Sequence, residues 1–282
     1  MILAVASGKG GTGKTTIAVN LAWSLQAEMP VQLLDCDVEE PNVSLFLKPS
    51  IRSQEKVFLS IPEIDREKCD HCGVCARFCA FGAISVLGDH VLTFPELCHG
   101  CGGCALFCPT EAITEQLKEI GTVETGDSDR IEIISGKLSI GSVLAPTVIR
   151  AVKEKKRTQG LVIVDAPPGT SCPAVASVAN SDYCLLVTEP TPFGLHDLNL
   201  AAGMVRELGI PVGVVINRWQ DFQGVDIENY CRQEGIPVLL KIPFDRRVAA
   251  CYARGGLPAQ EFSLWQDQLK VLWSHLERRL ES

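Results

Sequence analysis

The chain has 282 residues, 46% of them hydrophobic and 21% charged, and a formal net charge of −8. This balance excludes wholesale disorder, and the acidic charge argues against non-specific binding to nucleic acid, which needs many cations to displace counterions. No apolar run approaches the roughly 18 residues of a membrane-spanning helix, so no stable membrane anchor is expected.

Ile2–Ala6 reads as a buried strand rather than an export leader, which points to a cytoplasmic protein. It feeds the glycine-rich stretch "SGKGGTGKTT", Ser7 to Thr16, and then a helix starting near Lys14 whose Ala18, Leu21, Ala22 and Leu25 share one face. Gly8, Lys9, Gly10, Gly11, Thr12, Gly13, Lys14 and Thr15 satisfy G-x-x-x-x-G-K-S/T between a strand and a helix. Glycines there let backbone N–H groups close around phosphate oxygens, and the helix N-terminus favours the same negative charge. Lys14 is expected to reach the β- and γ-phosphates and the Thr15 hydroxyl to coordinate Mg²⁺, with Thr16 completing the loop. Lys9 is not needed for that geometry, because Lys14 already supplies the cation. A second strand, Val31–Leu34, ends in Asp35, Cys36 and Asp37, and after Pro41 the pattern dissolves.

Thirteen cysteines are too many for chance, and a reducing cytoplasm makes clustered cysteines metal ligands rather than disulfides. Within residues 62–117, "CARFCAFGAI" from Cys75 and "CALFCPTEAI" from Cys104 repeat one pattern at an offset of 29 residues, implying a pseudo-twofold module. Cys69, Cys72, Cys75 and Cys79 have the x2, x2, x3 spacing of a bacterial ferredoxin run, and Cys98, Cys101, Cys104 and Cys108 have it again. In such runs the fourth cysteine serves the other cluster. Cys69, Cys72, Cys75 and Cys108 are therefore the expected ligands of one 4Fe–4S cluster, and Cys98, Cys101, Cys104 and Cys79 of a second. Zinc sites also use paired Cys-x2-Cys units, but they do not need the third cysteine and the x3 spacing. Pro109 follows the fourth cysteine of the second run, whereas Ala80 follows that of the first; this removes no ligand. His71 and His99 read as shielding or surface residues.

Beyond Thr122 the apolar runs "LVIVDAPPG", "YCLLVTEP", "VGVVINR" and "VLLKIPF" alternate with helix-length segments, the signature of a parallel sheet covered on both faces. Asp35, Asp37, Asp165, Glu189, Asn217 and Asp245 fall at the carboxyl ends of these strands, where open α/β sheets bind ligands. The fold class is α/β: a P-loop domain with a mainly parallel sheet flanked by helices, made of residues 1–61 and 118–282. It is interrupted by a small α+β iron–sulfur module at 62–117.

Lys9 through Thr16 match K-G-G-x-G-K-S/T-S/T without a mismatch, and here the chain resembles the deviant Walker A ATPases, the family of MinD, ParA, Mrp-type proteins and the nitrogenase iron protein. The resemblance implies ATP as ligand, and a Lys9 that crosses a dimer interface to the partner's phosphates as a finger supplied in trans. It further implies that Asp37 orients the attacking water and that Asp165, in "VDAPPGT", holds Mg²⁺ through water while Gly169 senses the γ-phosphate. Asn217 and the stretch Pro243–Asp245 resemble the adenine-contacting segments. Cys172 follows Asp165 at the offset of the iron protein's bridging-cluster cysteine, yet no cysteine lies between Cys108 and Cys172 to complete such a set. Two Cys172 thiols facing each other across a dimer to hold a metal, or a helix-starting cysteine without a partner, both remain open.

Lys153, Lys155, Lys156 and Arg157 form a basic run that reads as a solvated helix end rather than a DNA contact. The stripe Leu264, Trp265, Leu269, Leu272, Trp273, Leu276 and Leu280 is amphipathic, but Asp267, Glu277 and Glu281 deny its polar face the cationic excess a bilayer favours, so packing on the sheet is expected. The whole resembles a MinD-type ATPase with an inserted two-cluster ferredoxin module. This implies an ATPase that dimerises on ATP, with itself or a related ATPase, and couples nucleotide state to electron transfer or metallocluster assembly in a partner protein. The alternative is a ParA/MinD-like spatial-organisation ATPase whose clusters sense redox state.

Overall fold

A computed structural model describes residues 1–220 and 226–280 of the chain. Its elements begin with β1 (Ile2–Ala6), α1 (Lys14–Leu25), β2 (Val31–Asp35), α2 (Val43–Leu47) and β3 (Ser50–Ile64). Then come α3 (Val74–Phe78), β4 (Ile84–Leu87), β5 (His90–Thr93), α4 (Gly103–Leu106), β6 (Ile113–Ser128), β7 (Ile131–Leu138) and α5 (Ala145–Glu154). The remainder is β8 (Leu161–Asp165), α6 (Cys172–Val178), β9 (Tyr183–Thr188), α7 (Pro192–Glu207), β10 (Val212–Trp219), α8 (Ile227–Gln233), β11 (Val238–Pro243), α9 (Arg246–Ala253), α10 (Pro258–Glu261) and α11 (Ser263–Leu280).

Among the described residues, nine strands form one sheet in the order β11-β10-β9-β1-β8-β2-β7-β6-β3. The strands from β11 to β7 pair in parallel, while β6 and β3 join antiparallel at one edge. The inner strands carry continuous apolar runs because helices cover both faces. One core holds Ile17, Leu21, Leu33, Ile163, Leu269 and Leu272 between the sheet and α1 with α11. The other holds Leu34, Val148, Ile149, Val164, Leu198 and Val205 between the sheet and α5 with α7.

Two helices differ from their sequence reading. α1 is buried on ten of its twelve residues, not along one stripe, because α10 and α11 close over its outer side. Its polar Asn20 is satisfied there, donating to the Thr16 carbonyl at 2.7 Å and accepting from the Ala259 N–H at 2.7 Å. The α11 stripe packs as expected, with Trp265, Leu269, Leu272, Trp273 and Leu276 in the core, while Leu264 stays exposed. The Leu280 side chain and Glu281 lie outside the described residues. Among the described residues no helix is long and apolar enough to cross a membrane.

Three cations of the basic run are engaged, while Lys156 is exposed as a solvated helix end would have it. Lys153 Nζ donates to the carbonyls of Ala176, Ser177 and Ala179 at 3.1, 2.6 and 2.6 Å, capping the end of α6. Lys155 pairs with Glu55 and Arg157 with Glu132. These partners come from distant segments, so the run alone gave no sign of them.

β3 and β6 are 15 and 16 residues long and pair from Ser50 with Asp127 out to Ile64 with Ile113. β7 accompanies β6 only between Gly121 and Ser128. Beyond Gly121 the two strands continue as a ribbon, and residues 65–112 sit at its tip. The ribbon runs unbroken through positions 61/62 and 117/118, so the cysteine-rich segment is joined to the sheet by backbone hydrogen bonds rather than by a linker.

Candidate functional site

The glycine loop leaves β1 and turns into α1 at Gly13, whose φ of 97° lies in the left-handed region. A Cβ there would stand 2.5 Å from Asn217 Nδ2, so Gly13 is required twice over. α1 has no side-chain cap and no acid in its first turn. Its leading N–H groups are left for an anion. They open on a cleft of about 470 Å³ bordered by Gly10, Gly11, Gly13, Lys14, Thr15, Thr16 and Asp37 on one side. Pro243, Phe244, Asp245, Val248, Ala249 and Tyr252 border it on the other.

Lys14 is buried, and burial lowers its pKa against the opposing fields of Asp165 and Asp37. Thr15 Oγ1 donates to Asp165 Oδ2 at 2.6 Å, which joins the loop to the end of β8. Asp165 is fully buried, and its Oδ1, like Thr12 Oγ1, has no hydrogen-bond partner. A hydroxyl and a carboxylate with an orphaned oxygen, both at the phosphate loop, are the hard oxygen donors that Mg²⁺ takes, so these residues fit that ion. Asp35 lies opposite Asp165 in strand register and accepts from the Val43 and Asp37 N–H groups at 3.1 and 3.3 Å. It organises the segment that presents Asp37 to the cleft. Burial pushes the Asp37 carboxyl up, and Lys14 opposes this.

Burial also pushes Asp165 up to about 7, with Thr15 and Lys14 pulling the other way. An unfolded aspartate titrates near 3.9. The folded chain therefore holds a proton that the unfolded chain has released, and this contribution to stability is full below pH ~4 and lost as pH rises through ~7. Thermal unfolding of the metal-free protein is expected to fall over that window, and less steeply for Asp165→Asn. Equal slopes for the two proteins would contradict this.

Lys9 Nζ lies 3.8 Å from Glu189 Oε2, and Glu189 also pairs with Arg218. Asn217 Nδ2 donates to the Thr12 carbonyl at 2.8 Å and its Oδ1 accepts from the Arg218 N–H at 2.9 Å. It thus braces the loop while lining the cleft. Asp245 caps α9, accepting from the Arg247 N–H at 2.8 Å, and pairs with the Arg247 guanidinium. Gly169 follows β8 with φ 90° and donates to the Ser7 carbonyl at 3.0 Å. The sequence reading reached Phe244 within the stretch Pro243–Asp245 but missed Val248, Ala249 and Tyr252. The cue was available: an aspartate cap two residues past a strand end signals a helix starting at the mouth of the cleft.

At the ribbon tip the thirteen-cysteine chain gathers eight thiols around two hollows. Cys69, Cys72, Cys75 and Cys108 border one, with Ile64, Val86, Val91 and Ile113. Cys79, Cys98, Cys101 and Cys104 border the other, with Ser60, Pro62, Phe81 and Glu115. These are the two crossed sets that the spacing predicts. The repeat holds in the backbone: His71 and Gly100, Gly73 and Gly102, and Gly82 and Glu111 form pairs of left-handed residues 29 apart. Phe78 and Phe107, also 29 apart, meet with ring centroids at 4.5 Å. Ala83 N–H donates to Cys79 Sγ and Ala112 N–H to Cys108 Sγ, each at 3.3 Å, and Gly100 N–H to Cys98 Sγ at 3.4 Å.

The eight cysteines line two largely apolar hollows, four to each, and backbone N–H groups donate to three of their sulfurs. Four thiolates with such donors suit a 4Fe–4S cube. The residues fit that group. His99 stacks on Phe81 with centroids at 3.6 Å. Cys172 is exposed at the start of α6, whereas Cys36, Cys184, Cys231 and Cys251 are buried.

A glycine loop at the carboxyl edge of a mainly parallel sheet, with a threonine and a buried aspartate hydrogen-bonded beside it, defines a P-loop nucleotide-binding protein. Residues 3–259 match the family model described as the CobQ/CobB/MinD/ParA nucleotide binding domain, and the chain belongs to that family. It is 33% identical over 266 residues to an uncharacterized protein of Methanocaldococcus jannaschii, covering 90% of each chain. It is 27% identical to an iron-sulfur cluster carrier protein of Pyrococcus horikoshii, over 86% of this chain and 74% of the relative. The fold resembles that of the septum site-determining protein MinD complexed with Mg-ADP from Pyrococcus horikoshii, with a TM-score of 0.59, 20% identity and coverage of 96% and 93%.

Proposed function

We propose that the chain is an Mg-dependent ATPase carrying two resident 4Fe–4S clusters, which dimerises on ATP and couples its nucleotide state to redox work, electron transfer or metallocluster assembly, on a protein partner. The observation that carries this reading is the partition of eight thiols, four and four, around two hollows on a ribbon that extends the nucleotide-binding sheet. Four thiolates per cluster leave no open ligand position, so these clusters belong to the protein and are not its cargo. A relative named as an iron-sulfur cluster carrier supports an iron–sulfur role.

In this reading the α1 N–H groups and Lys14 would hold the β- and γ-phosphates, the Thr15 hydroxyl would hold Mg²⁺ with Asp165 acting through water, and Asp37 would orient the attacking water. Mg²⁺, when bound, neutralises charge on the phosphate oxygens. Phe244, Val248 and Tyr252 enclose the base. Lys9 leaves Glu189 and reaches the phosphates of the second subunit. The clusters, when bound, are one-electron carriers.

A physical route joins the two functions. The Leu138 N–H donates to the Val38 carbonyl, next to Asp37, at 2.8 Å, and the Ser139 N–H donates to the Ile120 carbonyl of β6 at 2.9 Å. β6 then runs to Glu115 and Ile113 at the two hollows. A change at Asp37 on hydrolysis is thereby handed to the strand that leads back to the cysteine-bearing segment.

The test is anaerobic: dithionite-reduced protein is followed by electron paramagnetic resonance as a non-hydrolysable ATP analogue and then ADP are bound. A cluster signal that differs between the two nucleotide states is expected. Identical signals in both states would end the coupling, though not the binding of either group.

A further inference from the structure

The repeat at the ribbon tip is broken at one place that touches a ligand. Cys79 and Cys108 are equivalent, and each accepts a backbone N–H, from Ala83 and Ala112 respectively, at the same 3.3 Å. Two residues later the copies diverge: Phe81 stands in the first and Thr110 in the second. Thr110 Oγ1 lies 3.7 Å from Cys108 Sγ, within reach of a hydrogen bond to sulfur. A cysteine bound to iron has lost its proton, so the hydroxyl must be the donor. Phe81 offers no donor; it stacks on His99 over the other hollow instead.

Hydrogen bonds to cluster sulfurs are among the protein's main means of setting a reduction potential, because they stabilise the more negative, reduced state. Resting on the reading that two cubes are resident, we propose that Thr110 is a positioning residue that raises the potential of the cluster held by Cys69, Cys72, Cys75 and Cys108, without acting on the other. The second hollow has a donor of its own in the Gly100 N–H to Cys98 Sγ. That one is backbone and fixed by the fold. Thr110 is the side-chain donor, and hence the position at which one cluster is tuned separately. The hollow it serves is also the outer one. The other abuts the ribbon through Ser60, Pro62 and Glu115, and its Cys98 belongs to the same apolar core as Val38 and Ile120. Thr110 therefore bears on the cluster further along the ribbon from the nucleotide.

The experiment is a reductive titration of the full chain, loaded anaerobically, with midpoints read by electron paramagnetic resonance for wild type, Thr110→Val, Thr110→Ala and Thr110→Ser. In the valine and alanine variants one midpoint is expected to fall so that its one-electron equilibrium shifts about tenfold, or 59 mV, while the other stays. Serine keeps the hydroxyl and is expected to keep both midpoints. Iron content equal to wild type shows that the variants are folded and loaded. Midpoints that stay put in every variant, or that move together in all three, overturn the proposal. A wild-type chain that takes up no iron instead overturns the resident-cluster reading on which it rests.

Discussion

Lys9→Ala is expected to abolish ATP turnover while leaving Mg-ATP binding by the single chain nearly intact. Two effects compete, and their sizes decide the outcome. Within the chain, Lys9 makes an ion pair with Glu189 at 3.8 Å, with the lysine 30% exposed; pairs of that kind contribute at most about 1 kcal/mol. A cation delivered in trans to the transferring phosphoryl group is worth about 10³-fold or more in turnover. Loss of the first would pass almost unnoticed, and loss of the second would not. Lys14 remains in the cleft beside Asp165 and Asp37, so the phosphates keep their resident cation. Turnover, calorimetric binding of a non-hydrolysable analogue and sedimentation in its presence separate the roles. Unchanged turnover in the variant would contradict the assignment of Lys9.

The second large effect concerns the crossed ligand sets. Cys108→Ser is expected to cost one whole cluster, about four of eight iron atoms, and the cluster lost is that of the first run. Double variants make this visible, because replacements acting on one site do not add. Cys72→Ser with Cys108→Ser is expected to lose no more iron than either alone. Cys101→Ser with Cys108→Ser is expected to lose nearly all of it. If each run held its own cluster, the two double variants would exchange results. The hollows favour the crossed arrangement, since Cys108 borders the one with Cys69, Cys72 and Cys75, and Cys79 borders the one with Cys98, Cys101 and Cys104.

Legibility in the sequence followed how local each signal was. The glycine loop and the cysteine runs are contiguous, and their chemistry is fixed by spacing over a few residues. The parallel sheet was equally plain, because strands covered on both faces must be apolar without interruption. The β3–β6 ribbon was not. Arg52, Gln54 and Lys56 on one strand, and Glu115, Gln116, Leu117 and Glu119 on the other, are exposed, so neither strand shows the alternation that burial of one face imposes. Backbone pairing, the Lys56–Glu119 ion pair and a few apolar contacts at Leu59, Ile61 and Ile120 hold that ribbon, and the pairing leaves no trace in a hydropathy pattern.

The site divides in the same way. The Thr15–Asp165 contact joins residues 150 apart, yet both were anticipated, because each sits in a motif of its own. Glu189 as the partner of Lys9 was not, nor was Lys153 as the cap of α6. Those pairs arise from strand order and helix packing and not from neighbours in the chain. Asn217 was expected to meet the base; its amide is also spent on the Thr12 carbonyl, a contact that exists only once β10 lies beside the loop.

The claim underneath all of this is that one subunit holds both a purine triphosphate and two iron cubes. Its most direct test is analysis of the chain purified and reconstituted without air: iron, acid-labile sulfide and zinc per polypeptide, with Mg-ATP binding measured on the same sample. About eight iron and eight sulfide, a brown colour and bound Mg-ATP are the expected result. A colourless protein containing zinc, or a loaded one that takes up no Mg-ATP, would contradict it.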